Sequence, residues 1–182
     1  LFAIAINSAS DDELSSTILG LSGVQQNRVD PWGVLDFEEI EKDLASKITD
    51  DDLQDILICI DANAKLKKLK LTGCVTITGV GLSPLRGSTV LEQIDLSLVA
   101  EHIRSPPVLR PVSQSLISCE HVLPILNDII ERDGNALQRL DFPKSWREVR
   151  PRNTDLIEFM RRCNEMFGRR NLKCGACDRV VD

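Results

Sequence analysis

Apolar residues in this chain recur in one spaced pattern, clearest at Leu66-x-x-Leu69-x-Leu71-x-x-Cys74-x-x-Ile77. The same spacing returns, with losses, at Leu1/Ile4/Ile6, Trp32/Leu35/Phe37, Leu91/Ile94/Leu96 and Leu137/Leu140/Phe142, and without its first residue at Leu172/Cys174. Taking Ile4, Leu35, Leu69, Ile94, Leu140 and Leu172 as equivalent points gives spacings of 31, 34, 25, 46 and 32 residues. Such self-similarity marks a solenoid, in which a unit too small to bury its own apolar face stacks on the next. The closing apolar-x-apolar triplet of each motif predicts a short strand. Its outer residues point into the core and its middle residue to solvent, because side chains alternate along a strand. Cys74, three residues further on, falls where the chain turns, and a small side chain there is expected to be buried.

Between the strands the period changes to that of helices. Ser10-Asp-Asp-Glu13 and Thr49-Asp-Asp-Asp52 are near-identical helix openings. A hydroxyl caps the free N–H groups, and acids in the first turn favour the positive end of the helix dipole. The first is a capping box, followed by Leu14, Ile18 and Leu21. The second is followed by Leu53, Ile56, Leu57 and Ile60, the stripe of a half-buried helix. A third helix is predicted from about Ser118 to Asp133, with Val122, Ile125, Leu126, Ile129 and Ile130 inward, Gly134 ending it and Pro124 able to kink it. A fourth runs from Thr154 to about Met166, with Leu156, Phe159, Met160 and Cys163 inward. Residues 104–115 carry three prolines and read as a loop insertion, and residues 20–31 as a plainer connection.

Leu66-x-x-Leu69-x-Leu71-x-x-Cys74-x-x-Ile77-Thr78-x-x-Gly81-Leu82-x-x-Leu85 resembles the cysteine-containing class of leucine-rich repeats, typical of F-box substrate receptors and the ribonuclease-inhibitor-like superfamily. Gly79 stands where that class usually carries Asp, and Ala9, Val99 and Ser145 replace the cysteine in other repeats. The resemblance implies an α/β leucine-rich repeat solenoid of about six irregular repeats spanning residues 1–182. This horseshoe would carry parallel strands on its concave face and helices on its convex face. It further implies a protein-interaction scaffold, with substrate recognition for a cullin-type (SCF) ubiquitin ligase as the specific expectation. In F-box proteins a separate helical module binds the Skp adaptor. No such module is visible here, and the chain, which opens with Leu inside a repeat motif, reads as a piece of a longer protein.

The expected working surface is the outward row of strand positions: Lys68, Lys70, Thr72, Gln93, Asp95, Ser97, Arg139 and Asp141. Net charge is −6, so general nucleic-acid binding, which needs a basic surface, is disfavoured. The charge is uneven: Asp30 to Asp61 is strongly acidic, and the chain from Lys144 onward is basic. No apolar run approaches a membrane span, and LFAIAI is too short and lacks the basic flank of a signal peptide. Six cysteines in a chain of this length do not make a disulfide framework, which favours a reducing compartment, the cytoplasm or nucleus.

Candidate chemistry is confined to Cys174-Gly-Ala-Cys177, which has the spacing of half a zinc site, with Cys163 as a candidate third ligand. The same residues also align with Leu71 and Cys74 of the repeat motif, and a redox pair is a third reading. Residues 163–182 are therefore either a last repeat or the start of a zinc-binding module. His102 and His121 have no Ser or Cys partner in a catalytic pattern, and the glycines lack the spacing of a phosphate loop. Asp50, Asp51 and Asp52 lack the alternation of a calcium loop and read as helix-start acids. Arg161, Arg162, Arg169, Arg170 and Lys173 read as a solvated face, so no enzymatic role is expected.

Overall fold

Leu35, Leu69, Ile94 and Leu140, four of the six equivalent points, are direct cross-strand partners in one parallel sheet. The structure, a computed structural model, describes residues 32–98, 115–149 and 153–169. The four strands are β1 (Val34–Asp36), β2 (Lys68–Lys70), β3 (Gln93–Asp95) and β4 (Arg139–Asp141), stacked in chain order. Each is three residues long and starts one residue earlier than the apolar-x-apolar triplet predicts. The second apolar residue of the triplet, Leu71 or Leu96, still donates its N–H to the neighbouring strand, but its own chain is already turning away.

Between β1 and β2 lie a 3-10 turn (Phe37–Glu39), α1 (Lys42–Ala45), α2 (Asp50–Cys59) and α3 (Ala62–Lys65). Thr49 caps α2 as predicted: its Oγ1 accepts from Asp52 N, and Asp52 Oδ2 accepts from Thr49 N at 3.0 Å. This second opening is thus itself a capping box. Leu53, Ile56, Leu57 and Ile60 are buried. Cys59 is exposed, because it falls outside that stripe.

The connection from β2 to β3 is a 3-10 helix, Val80–Leu85, rather than an α-helix. At 25 residues this is the shortest repeat, and Gly79, Gly81 and Pro84 compress it. Gly79 has φ +103°, and a Cβ there would lie 2.3 Å from Val122 Cγ2. The glycine at the position where the resembled class has Asp is therefore required by this chain's own turn and packing.

After β3 come α4 (Cys119–Ile130), capped by Ser118, then β4, α5 (Lys144–Val149) and α6 (Thr154–Arg169). α4 ends short of Asp133, at Ile130, and Gly134 follows in the left-handed conformation. α6 runs three residues past Met166 and adds Phe167 to the predicted inward set.

Leu66, Leu69, Leu71, Cys74, Ile77, Leu82 and Leu85 are all fully buried, so every apolar position of the clearest motif is core. Burying each Leu or Ile contributes about 1.5–3 kcal/mol. Burial pushes the Cys74 thiol up to about 12, as a small hydrophobe rather than a nucleophile. One core runs from Leu35 through α2, the 3-10 helix and α4 to α6, where Phe142 stacks on Trp146 and meets Phe159 edge-on. The described residues thus form a mixed α/β fold with a single four-stranded parallel sheet. The predicted first helix, the loop insertion up to Gln114, and the motifs at Leu1 and Leu172 lie outside the described residues. Among the described residues no helix is long and apolar enough to cross a membrane.

Candidate functional site

The face of the sheet turned away from the core carries two rows of side chains in register. One row is Val34, Lys68, Gln93 and Arg139, and the other is Asp36, Lys70, Asp95 and Asp141. Strands in a sheet lie about 4.8 Å apart, so each row spans about 14 Å. The two rows differ in both charge and exposure.

In the second row the carboxylates are largely committed to the fold. Asp36 Oδ1 accepts from Glu38 N at 2.9 Å, and its Oδ2 receives Lys70 Nζ at 2.8 Å. Asp95 Oδ1 accepts from Ser97 N at 2.8 Å. Asp36 and Asp95 thus close the same turn at the ends of their strands, each accepting the N–H two residues on, as Asp side chains do readily. Asp141 Oδ2 pairs with Arg139 Nε at 2.7 Å. Asp95, expected on the outward surface, lies on the outward row but is only 4% exposed. Lys70 lies between Asp36 and Asp95 in register and is the counter-ion of Asp36, its side chain 21% exposed.

The first row is more accessible. Lys68 is exposed, the side chain of Arg139 is 48% exposed, Gln93 is half-buried and Val34 is 36% exposed. Thr72 and Ser97 follow β2 and β3, both half-buried, in the turns that leave the sheet. Of the predicted surface residues, the sheet brings Lys68, Lys70, Gln93, Asp95, Arg139 and Asp141 onto one face. Asp36 was not predicted there. Its signal was the dipeptide Leu35-Asp36, which Ile94-Asp95 and Leu140-Asp141 repeat.

The candidate metal ligands divide. Cys163 is fully buried on the inward face of α6 among the core side chains. Cys174 and Cys177 lie outside the described residues. Among the described residues no group of three or more His, Cys, Asp or Glu side chains is placed to hold a metal ion. His121 is exposed on α4.

A cleft of about 430 Å³ between the end of α4 and α6 is lined by Arg132, Arg161, Arg162, Glu131, Asp133 and Glu165, among others. Arg161 and Arg162 in this lining are matched by acids of the fold. Arg161 bonds Glu158 and Glu165, and Arg162 bonds Glu131 at 2.5 Å and Asn127 at 2.6 Å. The Arg161 hydrogen bond holds the exposed Glu158 carboxyl below its ordinary value. The arginine cluster thus joins α6 to α4 and braces the α6 surface.

Asp50, at the start of α2, accepts four hydrogen bonds. Its Oδ2 accepts from Thr78 N (2.9 Å) and Thr78 Oγ1 (2.7 Å), and its Oδ1 from Gly79 N (3.0 Å) and Gly81 N (2.9 Å). Gly81 permits this approach, since a Cβ there would lie 2.3 Å from the Asp50 carbonyl oxygen. Burial pushes the Asp50 carboxyl upward, but the hydrogen bonds from Gly81, Thr78 and Gly79 outweigh it, and its pKa lies below 3.8. Asp50 is more than a helix-start acid: it fastens the start of α2 to the turn that leads into the 3-10 helix.

In comparisons with known proteins, no family model, no curated protein and no solved structure matches the chain.

Proposed function

We propose that this chain is a protein-interaction scaffold and that it holds its partner on the open face of the parallel sheet. The observation that carries the reading is the register. Four strands present an accessible row, Val34, Lys68, Gln93 and Arg139, beside a row whose acids are already bonded within the fold. A row spanning about 14 Å of sheet suits a polypeptide segment better than a small molecule enclosed in a cavity. In this reading the motifs at Leu1/Ile4/Ile6 and Leu172/Cys174 extend the same array to about six leucine-rich repeats. The resemblance to F-box receptors supports substrate recruitment to a cullin ubiquitin ligase as the particular setting, with the adaptor bound by a module outside this chain. Affinity purification of the protein from its own cells, with mass spectrometry, tests that setting. Recovery of the Skp adaptor and a cullin is the expected result. Stable partners without either would remove the ligase and leave the scaffold.

A further inference from the structure

We draw no further inference here: the strongest candidate, the cleft between the end of α4 and α6, carries nothing, because its arginines Arg161 and Arg162 are already held by Glu158, Glu165 and Glu131 of the fold and nothing in the structure shows what ligand would take their place.

Discussion

Replacing Asp50 by Ala should destabilise the fold by about 3 kcal/mol, because four donors lose a charged acceptor at a half-buried position where water recovers part of the loss. The worth of the carboxylate follows from its geometry. Three of its donors are backbone N–H groups of Thr78, Gly79 and Gly81, none of which can turn elsewhere. A hydrogen bond to a charged group contributes about 1.5–3 kcal/mol, and a donor stranded without one costs about 1–3 kcal/mol when fully buried. Asp50→Asn should cost less, about 1–2 kcal/mol, since its amide oxygen can still accept from one pair of donors while its NH2 group opposes the Thr78 N–H. The carboxyl pKa is depressed by folding, so this stabilisation is fully present above pH 4. It is lost as pH falls from the unfolded value near 3.8 through the lower folded value. Urea unfolding followed by tryptophan fluorescence at pH 7 and at successively lower pH measures both effects. The gap between the wild-type protein and Asp50→Asn should be full at pH 7 and should narrow below pH 4. An Asp50→Ala protein as stable as the wild type, or a gap independent of pH, would refute the idea that this carboxylate fastens α2 to the 3-10 helix.

Leu69→Ala should cost about 2–5 kcal/mol in the same assay, since the side chain is fully buried at the centre of the sheet. Gly81→Ala should destabilise more than Gly134→Ala. The first places a methyl against the Asp50 backbone, whereas the second meets nothing and bears only the strain of its positive φ. In the native protein at pH 8, iodoacetamide should modify Cys59 and spare Cys74, as read by peptide mass mapping, with Cys74 reacting only after unfolding. Arg162→Ala should lower thermal stability by a few degrees, through loss of the Glu131 and Asn127 bonds between α6 and α4.

The sheet was legible in the sequence because its signal is local. Each three-residue strand sits at the end of the same apolar motif, and Leu35, Leu69, Ile94 and Leu140 align as the spacing predicts. The helix stripes at Leu53–Ile60 and Leu156–Cys163 were legible for the same reason. What escaped notice depends on partners far along the chain or on strands being very short. Asp50 looks like any acid in a first helical turn, and its four donors lie 28 to 31 residues away. Asp95 was placed in solvent by simple alternation. Its strand ends at that residue, and the chain that turns there brings the Ser97 N–H back to the carboxylate. The 3-10 helix at Val80–Leu85 was hidden because its six residues, with Gly81 and Pro84 among them, carry no apolar period of an α-helix. Which strand residues share the outward face, by contrast, was readable from alternation, and the division of that face into a more exposed row and a recessed acidic row required the side chains.

The most direct measurement of the central claim is site-specific photo-crosslinking in the protein's own cells. A photoreactive residue at Gln93, the middle of the accessible row, is compared with one at Ile58, which is exposed on α2. The account predicts a discrete crosslinked protein from Gln93 that is absent from Ile58 and is lost when Lys68 and Arg139 are reversed to Glu. The same partner captured from Ile58 and not from Gln93, or a Gln93 crosslink indifferent to the reversal, would contradict it.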